Sequence, residues 1–267
     1  MHPIAWFVSA LVLMMGLMTL LWAVARRIGN WGVVDVGWAG GLGALAMLLI
    51  AFGPGEAGRR LLLGGMLAAW AIRLTGYIWL NRVWKRPEDG RYQRLRHHWG
   101  ARAPLHFLWF FQAQAVLAVL FSVPVWLAMR RPEAFPAWSD LAAIPVWLLA
   151  LTGEAVADAQ LARFRADPAS RGRTFRGGLW RLSRHPNYFF EWLHWWTYVV
   201  AGLTAPAGWL TLGGPVLMYV FLHRVTGIPH TEQQALASRG DDYRRYQRET
   251  PAFFPWFPRK ERARSGD

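Results

Sequence analysis

The sequence has 267 residues, 54% of them hydrophobic, yet it carries a formal net charge of +14 at pH 7. A soluble domain would have to bury this apolar content in one modest core, which argues against that class. A bilayer accommodates it, because apolar helices face lipid and charge collects in the loops. The sequence contains no cysteine, which excludes disulfides, thiolate nucleophiles and cysteine-ligated metals.

Seven segments are predicted to span a membrane, since a span needs about 20 mostly apolar residues. They are Ile4–Ala25, Trp31–Phe52, Leu61–Leu80, His106–Met129, Leu141–Leu161, Phe189–Leu203 and Trp209–Val225. The first is interpreted as a retained helix, because no small-residue cleavage site follows it. The sixth is short and contains Glu191, so a tilted or half-buried helix also fits it. We therefore predict a single all-α, polytopic membrane domain over residues 1–267.

The distribution of Lys and Arg predicts the orientation of this domain. With the N-terminus outside and the C-terminus cytoplasmic, 25 of the 30 Lys and Arg residues lie on the cytoplasmic side and four lie outside. This bias is what the positive-inside rule expects, and six spans would break it. The charge is thus explained by topology and by anionic lipid, not by nucleic-acid binding. The prediction is a multi-pass integral membrane protein with a basic cytoplasmic face.

Ionisable residues inside spans are costly and are candidates for chemistry. Asp35 lies near the start of the second span, where it either caps the helix or has a function. Arg73 and Tyr77 are four residues apart and share one face of the third helix, which Arg82 continues. A buried arginine needs an anionic partner, and for Arg73 this is either Asp35 or a ligand phosphate.

A second group of candidates follows in the fifth span and the loop after it, where acidic residues give way to arginines. Its members are Glu154, Asp158, Arg165, Arg173, Arg184, His185, Asn187, Tyr188 and Glu191. Pro186 is predicted in the first turn of a helix, whose free N–H groups favour an anion. Because arginines grip phosphates bidentately, the pattern predicts a phosphorylated cofactor or an anionic lipid headgroup. The adjacent His97 and His98 point to different helix faces, so no metal site is predicted.

Several motifs, in this order and spacing, resemble the DUF1295 family, the bacterial branch of the steroid 5-alpha-reductase superfamily. They are Asp35-Val-Gly-Trp38, Arg73-Leu-Thr-Gly-Tyr77, Leu80-Asn81-Arg82, Glu88-Asp-Gly-Arg-Tyr92, Phe111-Gln-Ala-Gln114, Gly177-Gly-Leu179, Ser183-Arg-His-Pro-Asn-Tyr188 and Asp242-Tyr243. The resemblance implies seven helices and NADPH entering from the cytoplasm. It also implies reduction of a carbon–carbon double bond conjugated to a carbonyl in an apolar lipid or steroid-like substrate.

The resemblance also implies roles for individual residues. Arg82, the second group of candidates above, Glu232 and Tyr243 would bind the cofactor, mostly within residues 141–258. Asp35, Arg73 and Tyr77 would be catalytic, and a protonated Asp35 is one candidate donor to the carbonyl oxygen. Trp70 stands where the steroid reductases carry an active-site tyrosine.

Two other functions remain open. Membrane methyltransferases of the isoprenylcysteine or phospholipid type share the Arg-His-Pro-x-Tyr segment and a Glu…Tyr-x-x-Tyr tail, and they use S-adenosylmethionine. That cofactor has no phosphate, so the arginines at 163–176 favour NADPH. The third possibility is a non-catalytic lipid-binding membrane protein.

Overall fold

A computed structural model describes residues 2–225 and 227–259, and within these ranges every regular element is helical. The helices are α1 (Pro3–Ile28), α2 (Val33–Phe52), α3 (Ala57–Ile78), α4 (Gly90–Trp99), α5 (Ala103–Met129), α6 (Trp138–Ala166), α7 (Pro186–Ala201), α8 (Gly213–Val220) and α9 (Ile228–Glu249). Two π-helical segments, Trp79–Val83 and Phe221–Val225, extend α3 and α8. The prediction of an all-α protein is confirmed.

Five helical segments in the described ranges are long and apolar enough to cross a membrane. They are Pro3–Ile28, Val33–Phe52, Ala57–Val83, Gly90–Met129 and Trp138–Ala166. The sixth and seventh predicted spans coincide with α7, which has 16 residues, and with the extended α8, whose α-helical part has 8. Both are shorter than the roughly 20 residues that a span requires. Five spans are therefore supported, and the count of seven stays a prediction.

The described residues form two compact units. The first runs up to Asp140 and includes Ala201–Thr211. The second comprises Leu141–Val200 and the described residues from Leu212 onward, so it begins where the predicted cofactor-binding half begins.

Small residues set the packing of the first unit. There α2 packs against α1, α3 and α5, and α1 also packs against α5. Gly37 and Gly41 are four residues apart and face α1: a Cβ at Gly37 would lie 2.6 Å from Leu21, and one at Gly41 would overlap Met14. Small residues at this spacing allow two apolar helices to approach closely.

A buried ion-pair cluster closes one end of the first unit. Asp140 accepts from Arg59 Nε at 3.0 Å and pairs with Arg131 Nη1 at 3.4 Å, and all three side chains are inaccessible to solvent. Arg131 also donates to the carbonyl of Ala201 at 2.7 Å, and Arg59 donates to that of Glu133 at 2.9 Å. Arg59 and Arg131, two of the four arginines predicted on the outer side of the membrane, are thus buried and paired.

The second unit is held by contacts between α6 and the chain after it. Trp180 Nε1 donates to the carbonyl of Ala157 at 2.9 Å, and the amide of Leu179 donates to Gln160 at 3.0 Å. The ring of Phe190 fills a notch that exists because Gly153 has no side chain. The following helix, α7, begins at Pro186, as the sequence predicts.

Candidate functional site

A polar cluster in the second unit is centred on Glu232, near the start of α9. One carboxylate oxygen accepts from Arg184 Nε at 2.7 Å, from His185 Nε2 at 3.2 Å and from Tyr243 Oη at 3.4 Å. The other oxygen accepts from Gln247 Nε2 at 2.8 Å. The structure therefore brings three predicted site residues, Arg184, His185 and Tyr243, onto a fourth, Glu232.

The charges in this cluster are fixed by their surroundings. Burial raises the pKa of Glu232, but hydrogen bonds from His185 and Arg184 and the Arg184 charge outweigh it, and the pKa falls to about 2. Burial lowers the pKa of His185 below its ordinary value, against the opposing effect of Glu232. At neutral pH a neutral imidazole therefore donates to a carboxylate. Burial, together with the Glu232 charge, raises the pKa of Tyr243.

Arg184 ties the segment before α7 to the end of α9. Besides its bond to Glu232, its Nη1 donates to the carbonyls of Gln247 at 3.0 Å and Thr250 at 2.6 Å. Its charge faces the Glu232 carboxylate, and three of its guanidinium hydrogen bonds are made within the protein. Arg184 therefore fixes the shape of the site.

The first turn of α7 carries the next two predicted residues. The ring of Tyr188 stacks on that of His185, with centroids 5.4 Å apart and an interplanar angle of 6°. Tyr188 Oη lies 3.2 Å from Thr231 Oγ1 on α9. Asn187 Nδ2 donates to Asp158 Oδ1 at 3.2 Å, and Asp158 is buried on α6. The start of α7 thus links α6 to α9.

Hydrogen bonds also fix the arginine-rich loop between α6 and α7. The amide of Thr174 donates to Asp242 at 2.6 Å, and Arg176 Nη2 donates to the other oxygen of that carboxylate at 2.7 Å. Burial raises the pKa of Asp242, but the hydrogen bond from Thr174 and the Arg176 charge bring it below its ordinary value. Arg173, one residue before Thr174, is solvent-exposed on this anchored loop.

Arg239 and Arg165 concentrate positive charge beside the cluster. The guanidinium of Arg239 lies 5.1 Å from the centre of the Tyr243 ring. Burial and the neighbouring charge of Arg165 both lower the pKa of Arg239. Neighbouring positive charges of this kind favour a bound anion.

Asp35 belongs to a second polar cluster, in the first unit. Its carboxylate accepts from Tyr92 Oη at 2.6 Å and from Arg91 Nη2 at 3.0 Å, and Tyr92 is 3% exposed. These are the partners of Asp35 in place of the Arg73 pairing considered above. The guanidinium of Arg73 lies 5.9 Å from the Tyr77 ring on α3.

The loop before α4 holds Arg91 and Tyr92 in position. Glu88 accepts from the amide of Trp31 at 2.9 Å, which fixes the loop at the start of α2. Asp89 caps α4 by accepting from the amide of Arg91 at 2.9 Å. Burial raises the pKa of Asp89, but the hydrogen bond and charge of Arg91 lower it overall. The Glu88–Tyr92 motif therefore positions two donors, Arg91 and Tyr92, at Asp35.

The remaining predicted residues lie along three helices. Glu154 is buried on α6, one turn before Asp158. Glu191 is half-buried on α7, one turn after Asn187, and Arg82 is half-buried in the π-helical segment after α3. Among the described residues, no group of three or more His, Asp or Glu side chains has the geometry of a metal site.

The family model described as "Protein of unknown function (DUF1295)" matches residues 21–250. The chain belongs to the DUF1295 family. An uncharacterized protein of Schizosaccharomyces pombe is 29% identical to this DUF1295 chain over 280 residues, which cover 93% of the chain and 79% of that protein. No solved structure gives a significant match. The predicted family is confirmed, and similar sequences extend to a yeast.

The structure also places in the two polar clusters residues that the sequence analysis did not select. Arg91 and Tyr92 were recognised only as part of a motif, although a half-buried acid such as Asp35 is expected to have donors. Asp242 and Gln247 were missed as partners within the second unit. The available signal for Asp242 was its place beside Tyr243 on a helix following an arginine-rich loop.

Proposed function

We propose that this DUF1295 protein is an integral membrane oxidoreductase. It uses NADPH to reduce a carbon–carbon double bond conjugated to a carbonyl in a lipid or steroid-like substrate. The observation that carries the proposal is the convergence of α6, the start of α7 and α9 on the polar cluster around Glu232, with exposed arginines beside it. The motif resemblance to steroid 5-alpha-reductases supplies the reaction class.

The charge pattern favours a phosphorylated cofactor over S-adenosylmethionine. Arg165, Arg173 and Arg239 are the arginines beside the cluster that Glu232 does not neutralise, and guanidinium groups bind phosphate bidentately. Asn187 and Tyr188 are held in place by Asp158 and by α9, so they would orient the rest of the cofactor. NADPH, when bound, supplies the hydride.

The carbonyl oxygen of an enone gains negative charge as its β-carbon is reduced, and it needs a positioned donor. Asp35 accepts hydrogen bonds from Tyr92 and Arg91, which fix the position of its carboxyl group. Tyr92 carries a phenolic proton at that carboxylate, and Arg91 fixes the geometry. We assign the donor role to the Asp35–Tyr92 pair, with Arg73 and Tyr77 on the adjacent α3 as supporting groups.

The proposal includes the full membrane arrangement. In it α7 and the extended α8 complete seven membrane-embedded helices, the N-terminus lies outside, and the basic loops and C-terminus lie in the cytoplasm. The protein is then a multi-pass component of a bacterial inner membrane, and NADPH reaches it from the cytoplasm.

Isothermal calorimetry on protein in lipid nanodiscs tests the cofactor assignment. We expect NADPH to bind, NADH to bind more weakly and S-adenosylmethionine not to bind. Arg173→Ala should weaken NADPH binding by about tenfold, which is about 1.4 kcal/mol for one charge-assisted contact. The matched control is Arg130→Ala, another exposed arginine, which lies over the Trp126 ring and should change nothing.

The other outcomes separate the alternatives. Binding of S-adenosylmethionine alone would transfer the assignment to a membrane methyltransferase. Binding of neither compound would favour a non-catalytic lipid-binding protein. If NADPH binds, lipid enones can be screened by the loss of NADPH absorbance.

A further inference from the structure

A proline-rich strap follows α9 at residues 251–259 and exposes large aromatic side chains. Phe254 is 53% exposed, Trp256 71% and Phe257 75%. Large aromatic side chains exposed together in one short segment mark an interaction surface, because segments that face only water rarely expose so much apolar surface.

Hydrogen bonds hold the backbone of this strap against the protein. The carbonyl of Pro251 accepts from the amide of Arg184 at 2.9 Å, and the carbonyl of Phe253 accepts from Ser183 Oγ at 2.8 Å. The amide of Trp256 donates to the carbonyl of Leu182 at 2.9 Å. The strap is therefore fixed to the segment that precedes α7, and its aromatic rings project from a rigid base.

One strap residue faces inward and connects the strap to the apolar helices. Phe253 is 3% exposed, and its ring centre lies 4.6 Å from that of His223 and 5.7 Å from that of Tyr219. The exposed apolar residues Val216 and Val220 lie on the same helix as Tyr219. Among the exposed rings, that of Phe254 lies 5.7 Å from the ring of Trp192 on α7. The strap is thus joined to the apolar helices and is not an isolated patch.

Positive charge accompanies the exposed rings. Arg259 is exposed at the end of the strap, and its amide is fixed to the carbonyl of Glu249 at 2.8 Å. The sequence continues with three basic residues, Lys260, Arg262 and Arg264, and two acidic ones, Glu261 and Asp267. Aromatic side chains favour the headgroup level of a bilayer, and adjacent Lys and Arg are attracted to anionic headgroups.

We infer that the strap is a membrane-interface anchor whose occupant is the headgroup layer of an anionic bilayer. Through Ser183 and Arg184 it sets the depth of the Glu232 cluster relative to the lipid surface. The inference concerns where the strap lies, and it holds whether or not the protein binds NADPH or reduces a substrate.

The absence of native cysteine allows a direct test by site-directed spin labelling. A nitroxide is attached at Phe257→Cys or, as a second position, at Trp256→Cys. The control is Ala237→Cys, an exposed position on α9. Accessibility to oxygen and to a water-soluble nickel complex is measured in nanodiscs of phosphatidylcholine alone and of equal parts phosphatidylcholine and phosphatidylglycerol.

We expect the oxygen-to-nickel accessibility ratio to be several-fold higher at 256 and 257 than at 237, and to rise further with phosphatidylglycerol. Ratios equal to the control would overturn the inference, because the strap would then lie in water. Protection from both reagents would overturn it in favour of a protein partner or a second copy. A ratio unaffected by phosphatidylglycerol would refute the role of anionic lipid.

Discussion

Replacing Glu232 by glutamine removes one charge from the centre of the polar cluster and keeps the shape of the side chain. The surroundings lower its pKa from 4.5 to about 2. Each pKa unit corresponds to about 1.4 kcal/mol, so the carboxylate contributes on the order of 3 kcal/mol to folding. Its side chain is 16% exposed and that of Arg184 is 11% exposed, so solvent screens the pair only weakly.

We expect Glu232→Gln to lower the free energy of unfolding by about 3 kcal/mol, because Arg184 keeps its charge without a counter-charge. For a chain of this size the unfolding temperature should fall by roughly 6 to 12 °C. Thermal unfolding in nanodiscs at pH 7 measures this. The control is Asp241→Asn on the same helix. The Asp241 side chain is 93% exposed and pairs with Arg244, so this change should shift the unfolding temperature little.

The pH dependence gives an independent check. The folded-state pKa of Glu232 lies below the unfolded value, so its stabilisation is complete above about pH 4.5 and is lost as the pH falls toward 2. The difference between wild type and Glu232→Gln should therefore shrink over that interval. Equal unfolding temperatures at pH 7, or a difference that does not change with pH, would refute this account of the cluster.

Three further predictions concern other parts of the structure. Tyr92→Phe removes the donor that lies 2.6 Å from Asp35. The proposed reductase turnover should then fall about 100-fold with NADPH affinity unchanged, and unchanged turnover would show that Tyr92 has no part in the reaction. Gly178→Ala forces a side chain onto a backbone with φ of +54°. It should lower the free energy of unfolding by about 1–2 kcal/mol, measured by thermal unfolding, and a variant as stable as wild type would contradict that strain. Arg59→Met breaks a buried ion pair and should lower the free energy of unfolding by about 3–5 kcal/mol, whereas Arg130→Met, at an exposed arginine, should lower it little. Equal effects of the two changes would show that burial of the pair is unimportant.

The sequence was sufficient to predict most of the helices. Long apolar runs define α1, α2, α3, α5 and α6, because only a helix satisfies the backbone in lipid. The short helices were also located, but their length does not decide whether they span. An apolar run of 16 residues fits a tilted, half-buried or membrane-embedded helix equally well.

Some residues of the candidate site were predictable from the sequence, but their pairing was not. Glu232, Arg184 and His185 were all selected, yet nothing in the sequence indicates that Glu232 takes Arg184 and His185 as donors across more than 45 residues. Likewise, the sequence left open whether Asp35 pairs with Arg73. Its donors in the structure come from the first turn of α4, 56 and 57 residues away, because the segment at Glu88 returns the chain to the start of α2.

The buried Arg59–Asp140–Arg131 cluster has a consequence for the lipids around the first unit. Two cations near that end of the unit are satisfied internally, and Arg60 donates to the carbonyls that end α2. The loop around α4, by contrast, leaves Arg94 exposed, and Arg96, which is also exposed, pairs with Glu88 at 3.2 Å. In the proposed membrane arrangement, the two leaflets therefore meet different surface potentials. We expect the annular lipid to be enriched in acidic species in one leaflet only, which gives the bilayer around the protein a compositional asymmetry.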